Sequence, residues 1–470
     1  MLRRSTVIIP DFLSERRVRD EAAREGRLGV QVLGLPGLAA RLAGGFQRAA
    51  GAAELRALLQ EPPTEKLAGL ARIAELPGFA RAAVSSLFGA WQAGINLVEE
   101  ARKPGAHERW DELALLEEHL REKLPPGRLL LSELVQLALE NSGSAAVQLG
   151  PVTLELLADV PPVYRPLLEQ IATQTEVRWV IPSGITPPWT PAAIRIERTT
   201  ETNPHVQVES CADPAYEALE ALRWARRLLS SGVPAADIAI GTTSVAAYDE
   251  SIQELAAAGG LPLYAAHGQA ALNTAAGQYA AAFAGALLHG PTQDRVRRLI
   301  SCAEQCGDER LGAFPEDWAD GFRPDRLLGS LTHWQRELRH LRADKPNLAE
   351  LIERLVADLG AGPERAAELG ERWLSGDALT IWRHALTEGP AAALETSLER
   401  IRTAAAADPA TAIIWAPAAT LIGWPRPYVR LLGLSARSWP RRSSDEYPLI
   451  PDRILDGRKL REHGVARTDT

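Results

Sequence analysis

Residues 206–264 read VQVESCADPAYEALEALRWARRLLSSGVPAADIAIGTTSVAAYDESIQELAAAGGLPLY. VQVES (206–210) alternates apolar and polar residues, the period of a half-buried strand. Asp213 is placed to cap a helix, Pro214 suits its first turn, Leu219, Leu222 and Leu229 share one face, and Gly232 with Pro234 ends it. DIAIGTTS (237–244) is then a second strand, 246–260 a second helix, and LPLY (261–264) a third strand. Strand, helix, strand, helix, strand in one run predicts a parallel sheet with crossover helices.

The same grammar extends outward. STVIIP (5–10) is a short strand closed by Pro10, an Arg/Glu-rich helical stretch runs to Gly26, and LGVQVLGL (28–35) is another strand. From about residue 55 to 139 the signals are helical, with Leu113, Leu116 and Leu120 at three-to-four spacing and breaks at Pro62, Pro104 and Pro125. Strands return in VQLGPVTLELL (147–157) and VRWVIP (177–182), separated by a helix carrying Tyr164, Leu167, Leu168 and Ile171. The proline-rich ITPPWTPAA (185–193) marks a boundary at 185–204. Residues 275–405 read as helix, after which TAIIWAP (411–417) and YVRLLGL (428–434) are strands. The expected architecture is α/β: a first domain from 1–54 and 145–200 around a helical insertion at 55–144, and a second from 201–290 and 410–470 around an insertion at 291–409.

A chain of 470 residues is too long for one ordinary core, and 46% hydrophobic with 24% charged residues is the balance of a globular protein. A formal charge of -8 excludes a uniformly basic nucleic-acid coat but leaves room for a local basic groove. Three cysteines are too few for a disulfide framework and point to a reducing, cytoplasmic setting. The short apolar run in MLRRSTVIIPDF falls below a secretory h-region, and no 18-residue apolar span occurs, so neither export nor a membrane partner is expected.

Only five lysines occur, Lys66, Lys103, Lys123, Lys345 and Lys459, and they exclude two chemistries. A phosphate-binding loop needs a lysine between glycine and Ser or Thr, and none has that setting. A PD-(D/E)xK nuclease needs an acid two residues before a lysine, where this chain has Thr64, Ala101, Arg121, Ala343 and Gly457. HExxH, paired CxxC and GxSxG are also absent, so no catalytic, cofactor-binding or metal-binding residues are assigned. Cys302 and Cys306 in SCAEQC read mainly as ordinary helix cysteines, and His267 in YAAHGQA as a loop histidine. Arginines in ARR (225–227) and RVRR (295–298) offer phosphate contacts through Arg226, Arg227, Arg297 and Arg298, against the plainer reading of solvated helix faces. Trp334, with Trp318, Trp373 and Trp382, offers a stacking surface for single-stranded bases, against the plainer reading of core anchors.

The block ADPAYEALEALRWARRLLSSGVPAADIAIGTTS with LPLYAAHGQAALNTAAG resembles the start of the second motor domain in AddB-like and UvrD-like members of the superfamily 1 helicases. A second stretch, IIWAPAATLIGWPRPYVRLLGLSARSWPRRSSDEYPLIPDRIL, is similar to the helicase segment in which a strand ends in His-x-x-Lys-Gly-Leu-Glu. Gly423 matches that segment's glycine, whereas Ala419, Ile422 and Pro425 stand where its histidine, lysine and glutamate would be. Leu156–Asp159 (LLAD) stands where active members carry a magnesium-binding Asp-Glu pair, and Thr243 where a nucleotide-contacting arginine sits.

The resemblance implies two RecA-like parallel-sheet domains with the helical insertions of a UvrD-like helicase, and a nucleotide chemistry that is lost. The amino terminus resembles the strand just after the phosphate loop, and the sequence stops before the final helicase motif and the nuclease domain that AddB-like proteins append. The expected function is a non-hydrolysing, cofactor-free DNA-binding scaffold in double-strand break repair, with single-stranded or duplex-end DNA and a helicase-nuclease subunit as partners. Two alternatives stay open: the front half of a longer helicase-nuclease polypeptide, and a protein-interaction module that binds no nucleic acid.

Overall fold

A computed structural model describes residues 4–199, 204–311, 314, 318, 328–404, 407–435 and 447–450. The fold is mixed α/β and divides into two compact units: Met1–Ala74 with Ala82–His267 and Ala405–Thr470, and Glu75–Arg81 with Gly268–Ala404.

Among its described residues the first unit holds two larger parallel sheets and one two-residue parallel pair, Arg48–Ala49 with Arg128–Leu129. β1 (Ser5–Ile8), β2 (Val30–Leu33), β3 (Val152–Glu155), β4 (Val177–Ile181) and β5 (Arg195–Arg198) form one, in the spatial order β2-β1-β3-β4-β5. From β1 the chain moves to one side for β2 and returns to the other for β3, so the strand order reverses between β1 and β3. In open α/β sheets ligands bind outside the carboxyl ends of strands at such a reversal. β6 (Ile238–Thr242), β7 (Leu263–Ala265), β8 (Ile413–Pro417) and β9 (Tyr428–Leu432) form the second sheet, in the order β9-β6-β8-β7.

β6 and β8 are the central strands, and every residue of the former and the first four of the latter are buried. That explains their unbroken apolar reading, since strands covered on both faces do not alternate. One face packs against the Pro214–Ser230 and Asp249–Ala258 helices through Ala218, Ala221, Leu222 and Ile252. The other packs Ala239, Ile414 and Ala416 against Leu421, Trp424 and Leu13, the last from the Phe12–Arg24 helix. As the sequence requires, Asp213 caps its helix by accepting the Tyr216 N–H, and Pro214 opens the first turn.

Two expectations needed correction. VQVES forms no strand: Val206 and Val208 are exposed, and the segment's described tie to the sheet is an ion pair of 2.5 Å between Glu209 and Arg430 on β9. Alternation marks a strand only where the segment joins a ladder. Conversely, part of the stretch read as a boundary supplies β5, which pairs in parallel with β4.

Helices between β2 and β3 belong to this unit, with Leu113, Leu116 and Leu120 wholly buried along Arg109–Lys123. The second unit is helical, with one two-residue antiparallel pair, Gln269–Ala270 with Arg402–Thr403. Its tryptophans satisfy their indole N–H groups internally: Trp334 donates to the Pro291 carbonyl at 2.7 Å, Trp373 to Asp358 at 2.9 Å and Trp382 to the Ala366 carbonyl at 2.9 Å. No helix among the described residues is long and apolar enough to cross a membrane.

In the second sheet, buried Asp249 accepts hydrogen bonds from the Trp415 indole at 2.9 Å and the Gln253 amide at 2.6 Å, and pairs with His267 at 3.0 Å. Trp415→Phe keeps the ring and deletes one donor to a buried carboxylate, and is expected to lower urea stability by about 1–3 kcal/mol. An unchanged midpoint would show that the indole N–H contributes nothing.

Candidate functional site

At the carboxyl ends of β1, β3 and β4 lies a small cleft lined by Pro10, Asp11, Leu156, Ala158, Pro182 and Ile185, and closed by Ala419, Ile422 and Gly423 from the turn after β8. This is the reversal point of the first sheet. Asp11 is the only charged residue in the lining. Its carboxylate caps the Phe12–Arg24 helix, accepting the Ser14 N–H at 2.8 Å and the Ser14 hydroxyl at 3.0 Å. Helix N-termini attract anions because their first N–H groups lack partners. Here the chain's own carboxylate takes that position, and the cleft volume of roughly 100 Å³ is below the ~300–1,000 Å³ of small-molecule sites.

The cleft wall is closely fitted. A Cβ at Gly423 would lie 2.5 Å from Ser14 Oγ and 2.8 Å from both Asp11 carboxylate oxygens, so the backbone approach requires glycine. Arg17, one turn along the helix, donates to Glu155 at 2.6 Å, to Glu21 at 3.0 Å and to the Gly423 carbonyl at 3.4 Å. Burial pulls the Arg17 guanidinium down, but hydrogen bonding to Glu155 and the charges of Glu155 and Glu21 outweigh it and hold it above its ordinary value. Leu156 adopts φ 58°, the one described non-glycine residue with positive φ. A leucine held there stores about 1–3 kcal/mol of strain. The following carbonyl, that of Leu157, accepts the buried Trp179 indole N–H at 2.9 Å.

A second concavity opens where β2 ends. Leu33, Pro36, Gly37, Ala40, Arg41, Gly45, Arg48 and Ala49 line a groove of about 370 Å³. Gly44 and Gly45 both have positive φ, and the turn they make presents Phe46 with 93% of its surface exposed. Arg41 and Arg48 are exposed, and their side chains have no ion-pair or hydrogen-bond partner among the described residues. The groove offers two available guanidinium groups, and Phe46, which follows the lining residue Gly45 in sequence without itself lining the groove, offers a free aromatic face. None of these residues stands out by periodicity. The legible signal is local, a glycine pair before an isolated phenylalanine and an arginine in AGGFQR (43–48).

The residues singled out by sequence scatter. Arg226 and Arg227 are exposed on the Pro214–Ser230 helix, but Arg226 donates to the Gly259 carbonyl and so fastens a neighbouring helix end. In the second unit Arg298 donates to Gln278 at 3.0 Å and Arg297 is half-buried. Trp334 is a correction: its ring is wholly buried, so a base cannot stack on it without opening the core. Trp318, Trp373 and Trp382 are buried as well. Thr243 follows β6 directly and is half-buried, whereas Gly423 closes the cleft. Burial raises both Cys302 and Cys306, and no cluster of three or more metal-ligating side chains occurs among the described residues. Much of SARSWPRRSSDEYPLIPDRIL, the end of the second resemblance, falls at 436–446 and 451–455, outside the described residues.

Gly423→Ala is expected to cost about 1–3 kcal/mol by displacing the Asp11 cap and crowding Ser14. Gly143→Ala, with open space around its Cβ position, should stay within about 0.5 kcal/mol of the parent. Equal losses in chemical denaturation would remove the case for a close-fitted cleft. Leu156→Gly, which relieves the positive φ, should be neutral or stabilising by about 1 kcal/mol, and Leu156→Val clearly worse than either.

No model of a known protein family matches the chain, and no curated protein matches it.

Proposed function

We propose that this chain is a non-hydrolysing, helicase-like scaffold that holds single-stranded DNA, with the groove after β2 as its contact. The observation that carries the reading is Phe46, fully exposed and two residues from Arg48 in sequence, next to a groove lined by Arg41 and Arg48, whose side chains have no partner among the described residues. Single-strand sites combine aromatic platforms, on which any base can stack, with cationic groups that follow the phosphates. The groove matches that chemistry without needing a basic molecule, which suits a chain of net charge -8.

The two parallel sheets support a reading as paired RecA-like domains with UvrD-like helical insertions. The cleft at the reversal point supports the silent half of the proposal. Asp11 sets a negative charge where a phosphate would have to bind, and the volume leaves room for water or a single side chain. DNA binding would then run on stacking and charge alone, in double-strand break repair beside a helicase-nuclease subunit that supplies motion and cutting.

Fluorescence anisotropy of a labelled oligothymidylate across a salt series tests this. Phe46→Ala should weaken binding by about 5- to 150-fold, the equivalent of ~1–3 kcal/mol for one stacked base. Arg41→Ala and Arg48→Ala should each flatten the log–log salt slope by about 0.7, one phosphate contact on a single strand. Added nucleotide should change nothing. Absence of binding at low salt, or three variants that bind like the parent, would reject the groove and leave the protein-interaction reading.

A further inference from the structure

Far from the groove in sequence, Tyr447–Ile450 (Tyr-Pro-Leu-Ile) lies against Ser86 and Gly89 of the Phe79–Gln92 helix, in the part of that helix that belongs to the same unit. The Leu449 N–H donates to Ser86 Oγ at 3.1 Å across 363 residues of sequence, and Ser86 is wholly buried beneath it. Leu449 and Ile450 are themselves buried. The Tyr447 ring rests on Gly89 so closely that a Cβ at Gly89 would fall within it. Small residues on one helix face, a hydroxyl that fixes the backbone and two covered aliphatic side chains together describe a seated turn, closed by the Ile450 N–H donating to the Tyr447 carbonyl at 2.9 Å.

We infer that the Ser86–Gly89 face is a peptide-docking groove whose resident ligand is Tyr447–Ile450 of the same chain. It fits a four-residue turn of the form aromatic–proline–aliphatic–aliphatic, with proline at the position whose fixed φ favours a turn. Gly89 admits the ring, Ser86 accepts the backbone N–H two residues later, and the last two side chains supply the apolar burial that holds the segment down. Proline in the second position donates no N–H, the Leu449 amide is satisfied by Ser86 and the Ile450 amide by the Tyr447 carbonyl at 2.9 Å. A tethered occupant faces its groove at an effective concentration of about a millimolar, so a free peptide of the same sequence competes poorly until the tethered one is disabled. This assignment is independent of the DNA reading, because none of its residues lines the groove after β2.

The test uses the 470-residue chain and a fluorescein-labelled peptide of residues 445–451, DEYPLIP. Ile450→Asp should release the resident segment, and the variant should bind the peptide at least about tenfold more tightly than the parent chain does. Adding Gly89→Leu should abolish that gain. Equal binding by parent and Ile450→Asp, or a gain that survives Gly89→Leu, overturns the assignment. Should Ile450→Asp not fold, hydrogen exchange of Ser86→Ala decides: the Leu449 amide should exchange at least about tenfold faster while the β6 amides keep their protection, and unchanged Leu449 protection overturns the proposal.

Discussion

The carboxylate of Asp11, held between the first turn of its own helix and the bare backbone at Gly423, is the contact around which the first unit is arranged. An acid at a helix N-terminus is favourable in itself, because it meets unpaired N–H groups and the positive end of the helix dipole. What is particular here is that the turn after β8 is pressed against the same carboxylate. Arg17 then ties β3, its own helix and Gly423 together from the next turn. The ends of two sheets are thereby joined by groups the chain carries itself.

Arginine and tryptophan serve as structural fasteners throughout. Arg165 joins Asp159 and the Val160 carbonyl, Arg310 reaches the Leu374 carbonyl, and Arg372 pairs with Asp358, which also takes the Trp373 indole. A guanidinium offers five donors in a fixed fork, so it can satisfy several buried carbonyls and one acid at once. In a chain with five lysines, arginine density along the sequence therefore says little about where phosphates bind. Partnership is the better guide, and it separates Arg41 and Arg48 from the clusters that the sequence makes conspicuous.

The sheets were legible because burial on both faces writes continuous apolar runs, as in IAIGT and IIWAP, and because Asp213-Pro214 is an unambiguous helix start. VQVES misled because period two reports the tendency to form a strand and not the presence of a neighbour to accept it. β5 was hidden by its mixed RIER composition and by the prolines before it. The cleft was half legible: Gly423 drew attention through resemblance, but its closeness to Asp11 joins residues 11 and 423, and no local pattern carries that. Trp334 illustrates the reverse failure, since an indole offered to solvent and an indole bonded to a carbonyl in the core look the same in sequence.

β9 ends the second sheet among the described residues, and an edge of this kind leaves backbone groups free to recruit a strand from another molecule. Tyr428 and Val429 are exposed on it, and the valines of VQVES are exposed on the segment tied to it. The Glu209–Arg430 pair ties that segment to the edge strand. Glu209 is half in solvent, so dissolved ions reach and screen it. Raising ionic strength weakens this pair and, with it, the described tie between the 206–210 segment and the edge strand.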